Sequence, residues 1–217
     1  MVLGSVSSAC FSLKLSLRFG AGADGAAFVA LASVALDELA SAAAAFAEGL
    51  RSLGADALPW DDASRDLAAR AEFVRALKRS DLGDWPDFSE SALLASFAWL
   101  EPFLAGVTRR SHLSRVSLID ALRSRLTHTQ LRKLDELAPT HIVLPTGTHA
   151  KIDYFDDNAP CASMRMQEVF GLATTPKIGG GTVPITFKLL SPAQRPLQVT
   201  RDLASFWKNA YVEVRKD

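Results

Sequence analysis

Leu134-Asp-Glu-Leu-Ala-Pro139-Thr-His-Ile-Val-Leu144-Pro-Thr-Gly-Thr148-His-Ala-Lys-Ile-Asp-Tyr-Phe155 is the stretch in which the pattern of the chain changes. Just before it, Thr127-His-Thr-Gln130 has the Thr-x-x-Gln form of a capping box, in which each side chain satisfies the other residue's free backbone N–H. Leu131 and Leu134 then fall on one helical face, and Pro139 ends the helix because it has no N–H and its ring blocks continuation. Beyond it, His141–Leu144, Pro145–Thr148 and Lys151–Phe155 read as strand, turn and strand, with Gly147 free to take a positive φ in the turn. Helix yields to hairpin with no alternation of strand and crossover helix, which predicts the α+β class.

Upstream, the pattern is helical from Trp60 to Leu137. Ser64 is expected to cap a helix carrying Leu67, Phe73, Val74 and Leu77. Ser89 is expected to cap one carrying Leu93, Phe97, Leu100 and Leu104 and ending at Gly106, and Ser117 to open another. An Ala-rich segment from Glu38 to Leu53 has high helix propensity and stops at Gly54. Before that, Phe11-Ser-Leu-Lys-Leu-Ser-Leu-Arg-Phe19 alternates with the period of a strand, and Gly20–Gly25 supplies a turn. Downstream, a short helix is expected over Met164–Phe170, a turn at Gly179-Gly180-Gly181, a strand over Val183–Leu190, and a last helix capped by Thr200 and carrying Leu203, Phe206, Ala210 and Val214. The expected divisions are residues 1–36 as a β-hairpin, 37–137 as a helical region, and 138–217 as a mixed α/β module with a small antiparallel sheet.

At 217 residues, the chain is long enough to bury roughly 70% of its unfolded surface without a disulfide or metal. Cys10 and Cys161 are far apart in sequence and neither sits in a Cys-x-x-Cys pair, which fits a reducing, cytoplasmic setting. The longest apolar run, Ala26–Leu36, falls short of the ~20 residues a membrane span needs, so no membrane partner is expected. Lys+Arg and Asp+Glu are equal at 24 each, yet they segregate. Acids dominate from Asp56 to Glu101. From Arg109 to Lys133 only Asp120 opposes the bases, and the C-terminal portion is basic again.

The motifs of common catalytic sites are missing. Gly179-Gly180-Gly181 lacks the Lys-Ser or Lys-Thr and the following helix of a phosphate loop, and there is no Gly-x-Ser-x-Gly elbow. His149 and Asp153 would share a strand face, but two ligand types alone do not make a metal site. Acid pairs such as Asp61-Asp62 and Asp156-Asp157 fall in loops or helix starts, where solvated carboxylates are common. One constellation stands out: Lys188, Arg195, Arg201, Lys208 and Arg215 alternate with Phe187, Phe206, Trp207 and Tyr211. Such residue types meet phosphates and stack on unpaired bases, so Arg195, Arg201, Lys208 and Arg215 are the candidate nucleic-acid-binding residues. Apolar periodicity equally assigns Phe206 to a helix's core stripe.

A set of ordered strings resembles the terminal region of HrpB-type, DEAH-box-like ATP-dependent helicases. They include Leu58-Pro-Trp60, Trp85-Pro-Asp87, Trp99-Leu-Glu-Pro-Phe-Leu-Ala-Gly106, Leu134-Asp-Glu-Leu-Ala-Pro-Thr-His141, Met166-Gln-Glu-Val-Phe-Gly-Leu172 and Leu197-Gln-Val-Thr-Arg-Asp-Leu-Ala-Ser-Phe-Trp207. The resemblance implies two RecA-like motor domains upstream, which bind ATP and Mg2+ and couple hydrolysis to movement on nucleic acid, by family expectation RNA. It also implies that residues 1–36 are the remnant of a preceding β-rich accessory domain and that the chain is a fragment or a split subunit. This chain carries none of the motor motifs, so no cofactor and no catalytic residue are expected in it. The implied partners are the helicase motor domains and single-stranded RNA; a protein-interaction module without nucleic-acid binding is the alternative.

Overall fold

The structure, a computed structural model, describes residues 49, 51, 53–104, 107, 110–155 and 159–209. The expected hairpin over 1–36, almost all of the Ala-rich helix, and Ala210 and Val214 of the last helix lie outside these residues. The chain divides into two units, one reaching to Pro59 and including Leu94–Ser117, the other formed by Trp60–Leu93 and Leu118 onward.

The first unit, among its described residues, is made of short 3-10 turns at Ala55–Ala57, Glu101–Phe103 and Arg110–Arg115. Arg51 ties two of its segments together, donating from Nε to the Leu94 carbonyl at 3.2 Å and lying 5.6 Å from the centre of the Phe97 ring. The expected long helix to Leu104 stops early. Helix α2 covers only Glu90–Ala95, and at Ser96 the side-chain hydroxyl accepts from Ala98 N, offering the backbone a local alternative to the helical ladder. Phe97, Leu100 and Leu104 are nonetheless buried, from turns rather than along a helical face.

The second unit begins with α1, Asp62–Ala76. Its cap is Asp61, not Ser64: the Asp61 carboxylate accepts from Ser64 N at 2.7 Å, while Ser64 Oγ, fully buried, accepts from Asp61 N at 2.9 Å. The reciprocal bonds make Ser64 the third residue of a capping box and hold the Asp61 carboxyl below the usual range. Trp85 of the Trp-Pro-Asp string packs on α1 and donates its indole N–H to the Ala71 carbonyl at 3.0 Å. Helices α3, Leu118–Arg123, and α4, His128–Leu137, follow. The Thr127–Gln130 capping box is present as expected, with Thr127 N donating to Gln130 Oε1 at 2.8 Å.

Strands β1 (His141–Val143), β2 (His149–Asp153), β3 (Cys161–Arg165), β6 (Thr186–Leu190) and β7 (Pro196–Thr200) form one sheet in the order β1-β2-β3-β6-β7. All neighbours are antiparallel except β3 and β6. A parallel pair needs a long crossover, and the segment from Met166 to Ile185 supplies it. Within that segment β4 (Lys177–Ile178) and β5 (Val183–Pro184) make the small antiparallel sheet. The architecture is therefore α+β, with the principal sheet mixed. Met164 belongs to β3 and only Met166–Val169 is helical, as a 3-10 turn. The final helix α5, Leu203–Lys208, is capped by Asp202, whose carboxylate accepts from Ser205 N at 3.0 Å, and not by Thr200.

Registers Ile152↔Ala162, Ala162↔Phe187 and Met164↔Leu189 put these apolar side chains on one face, where all are buried. The three glycines between β4 and β5 have φ of 63°, 71° and 83°, a run of left-handed backbone that explains them without any bound anion.

The end of α4 is where the helices meet the sheet. Four successive carbonyls find donors from three distant places. Leu137 O accepts from Gly179 N at 2.8 Å, Ala138 O from Arg70 Nε at 2.6 Å, Pro139 O from the Tyr154 hydroxyl at 2.7 Å, and Thr140 O from Ile152 N at 2.9 Å. Arg70 is 6% exposed and also pairs with Asp135, whose side chain is 76% exposed, at 2.7 Å. Replacing Arg70 by Met leaves the Ala138 carbonyl buried without its donor, at an expected cost of about 3 kcal/mol in urea unfolding. Asp135→Asn keeps that bond and is expected to cost less than about 1 kcal/mol.

Candidate nucleic-acid interface

The strand β7 separates two of the sequence-nominated cations. Arg195 closes the turn between β6 and β7: Ser191 N donates to its carbonyl at 2.8 Å, and its own N donates to Ser191 Oγ at 3.1 Å. Its side chain is exposed. Arg201 follows the other end of β7, about 20 Å away at the rise of an extended strand. Lys208 lies exposed in the last turn of α5, where a cation complements the helix dipole. The structure therefore disperses Arg195, Arg201 and Lys208, and Arg215 lies outside the described residues.

The aromatic residues nominated beside them are mostly spent on packing. Phe187 is fully buried on the core face of β6, and Phe206 is 4% exposed on the inner side of α5. Trp207 lies 5.0 Å from Phe206 and 5.7 Å from Phe170, centre to centre, and its indole N–H is bound to the Leu172 carbonyl at 2.7 Å. Tyr211 is outside the described residues. Phe187, Phe206 and Trp207 do not form the stacking platform that the alternation suggested. Trp207 does help line a shallow apolar cleft of about 340 Å³ with Phe170 and Leu172.

Arg201 is the nominated residue that meets solvent-facing aromatic surface. Its Nε donates to Thr186 Oγ1 at 3.0 Å, which turns the guanidinium to the rim of an open groove of about 700 Å³. The groove is walled by Phe73 of α1, by Tyr154 and Phe155 just past β2, and by Pro160 and Pro184. Phe155 is 54% exposed. Strand pairing stops at Asp153, whose carboxylate accepts from Phe155 N at 2.9 Å, but burial keeps alternating through buried Tyr154 and exposed Phe155, which puts the Phe155 ring on the side away from the core. Glu72, on the α1 wall, is occupied elsewhere, taking Arg75 at 2.6 Å and the Phe88 N–H at 2.6 Å. Sequence reading had placed Tyr154 and Phe155 together in a strand. The alternation of a strand is itself enough to separate the buried ring from the exposed one.

The acidic and basic segments are partly each other's partners. Lys133 donates to the Asp81 carbonyl and lies 4.0 Å from its carboxylate, Gln130 donates to the Asp84 carbonyl at 2.9 Å, and the Arg125 guanidinium lies 5.0 Å over the Phe88 ring. His149 and Asp153 share an exposed sheet face as expected, and among the described residues no group of three His, Cys, Asp or Glu side chains converges to hold a metal ion. Among the described residues, too, no helix is long and apolar enough to cross a membrane.

Comparison with known proteins places these features in a family context. A family model described as ATP-dependent helicase C-terminal matches residues 99–217. The ATP-dependent RNA helicase HrpB of Escherichia coli strain K12 is 42% identical over 188 residues, which is 86% of this chain and 23% of that protein. The crystal structure of the E. coli DExH-box NTPase HrpB superposes with a TM-score of 0.71 at 42% identity, over 78% of this chain and 21% of that one. A crystal structure of the E. coli DEAH/RHA helicase HrpB gives 0.67 at 40% identity, over 79% and 22%. The chain thus spans less than a quarter of the length of these relatives.

Tyr154 gives the groove wall a measurable signature. Burial, the largest influence, pushes its phenol well above the ordinary value. A raised folded-state value means that the protonated phenol is favoured by folding. Its contribution is complete below the unfolded value of about 10 and is lost as pH rises above it. Alkaline titration followed by ultraviolet absorbance is expected to show one of the two tyrosines ionising late, together with unfolding. Tyr154→Phe is expected to remove that late step and to cost about 1 kcal/mol at neutral pH through loss of the Pro139 bond.

Proposed function

The chain belongs to the HrpB-type ATP-dependent helicase C-terminal family, and from that premise we propose that it is a non-catalytic accessory region which packs on the helicase motor and contacts single-stranded nucleic acid, RNA by the names of its relatives. ATP and Mg2+ belong, on this reading, to motor domains outside this chain, and the work is done in the cytoplasm. The observation that supports nucleic-acid contact is the Arg201 guanidinium at the rim of a groove with the half-exposed Phe155 ring. A planar cation beside an aromatic face suits a phosphate and its attached base. Arg195 and Lys208, being remote from this rim, take the role of peripheral phosphate contacts.

A protein-docking module is the second reading, favoured by the exposed Leu197 and Val199 on the edge strand β7 and by Val143 on β1. Salt separates the two, because neutralised phosphates release counterions and apolar docking does not. Fluorescence anisotropy of the folded chain with labelled single-stranded RNA is expected to show affinity falling log-linearly with salt. Phe155→Ala is expected to weaken binding about tenfold, the loss of one stacked base. Absence of binding by a chain whose fold is verified by circular dichroism would sink the nucleic-acid reading and leave docking.

A further inference from the structure

We infer that the solvent-facing side of the five-stranded sheet is a second phosphate-contacting surface, continuous with the Arg201 groove, built on Lys151, Arg165 and Lys188 and indifferent to base identity. This deepens the reading of the chain as a nucleic-acid-contacting module and rests on it. The pleat makes the surface. In β2 the burial alternates strictly, so His149, Lys151 and Asp153 point away from the core while Ala150 and Ile152 point into it. Ser163 and Arg165 are the exposed partners in β3, and Lys188 pairs with Ser163 on one side and Val199 on the other. One further step of the β2–β3 register sets Lys151 beside Ser163.

Those pairings give a spacing. Lys151 and Lys188 are two strands apart, about 10 Å, and Lys188 stands two residues, about 7 Å, from Thr186 on the same face. Thr186 holds the Arg201 side chain. A track of cations therefore leads from the groove rim across the sheet, at intervals that a flexible single-stranded backbone can follow. The acids nearby keep their charge, and each is held in place by a group of the protein. Asp153 accepts from Phe155 N at 2.9 Å, and Glu168 accepts from Arg165 N at 2.9 Å. Asp66, largely buried, lies 4.0 Å from the Lys151 ammonium, which remains more than half exposed. The other groups on this face are His141, His149, Val143, Leu190, Val199 and the buried Cys161 and Thr186, and it bears no Phe, Tyr or Trp ring on the described strands. The cations thus point to a polyanion, and the lack of large stacking rings points to its backbone. An acidic protein would meet the same charges, but it offers no regular repeat matched to this spacing.

The test uses the whole chain, labelled single-stranded RNA of mixed sequence, and oligo-A and oligo-U as comparators. The variant Lys151→Gln/Arg165→Gln/Lys188→Gln is expected to bind at least about tenfold more weakly, and the slope of log affinity against log salt to fall by about two, from three contacts at about 0.7 each. Oligo-A and oligo-U are expected to bind within a few-fold of each other at this surface, tested in the Phe155→Ala background. If wild type binds and the folded triple variant matches it in affinity and slope, the sheet face is overturned while the Arg201 groove survives. A strong preference for one homopolymer in the Phe155→Ala background overturns backbone-only contact. If wild type does not bind at all, both readings fall. Should the triple variant not fold, each single glutamine substitution is expected to lower the slope by about 0.7, and three unchanged slopes overturn the inference.

Discussion

Everything in the second unit depends on how the chain leaves α4. A helix end presents carbonyls with no partner inside the helix, and when that end is buried each must find a donor or cost on the order of 1–3 kcal/mol. Here Pro139 prevents the usual solution, because a proline cannot supply the N–H of a closing turn. The carbonyls from Leu137 to Thr140 turn outward instead, to the Gly179 backbone, the Arg70 guanidinium, the Tyr154 hydroxyl and the Ile152 backbone. Those donors come from the triple-glycine turn, α1 and the end of β2. One requirement of local chemistry thereby fastens four pieces of the fold at a single point.

The same fastening positions the candidate groove. Tyr154 cannot both bond Pro139 and turn its ring to solvent, so its ring packs 5.2 Å from Phe73, centre to centre, on α1. Phe155, the next residue, must then face away. The exposed ring is thus a consequence of the buried one, and it lines the same groove as Arg201, whose guanidinium is held by the β6 hydroxyl. Arg70 is a poor candidate for ligand contact for the same reason: its charge is already committed to Ala138 and Asp135.

The large features were legible in the sequence because they rest on periodicity and punctuation. The helix-to-hairpin change at Pro139, the Thr127–Gln130 box, the turn at Gly147 and the α+β class each follow from nearest-neighbour stereochemistry. Caps were less legible. Asp61 and not Ser64, Asp202 and not Thr200, is the cap, because two oxygen-bearing side chains within a few residues can each take a free N–H, and backbone geometry decides which of them stands at the cap position. The parallel pairing of β3 with β6 was invisible to local pattern, since it depends on a crossover rather than a turn. The candidate site suffered most. Alternating cations and aromatics along Phe187–Arg215 suggested a joint surface, but sequence neighbours on opposite sides of a strand are not spatial neighbours, and Phe187 and Lys188 face opposite ways.

The charge balance of the chain illustrates the same point energetically. A net charge of zero would speak against binding a polyanion if charge acted through its total. At a Debye length near 8 Å, a phosphate feels the groups within a strand or two of it and little beyond. Asp81, paired with Arg79 and Lys133, has its charge largely answered in place, whereas Lys151 and Lys188 act locally. Such a surface is weak by itself, a few cations worth on the order of a few kcal/mol at physiological salt. On the proposed reading, the contact would become intramolecular once a motor held the strand, and an effective concentration in the millimolar range would turn weak phosphate contacts into measurable retention. A module with balanced charge and a locally basic face is suited to that task, since it adds grip when the strand is already present and little attraction when it is not.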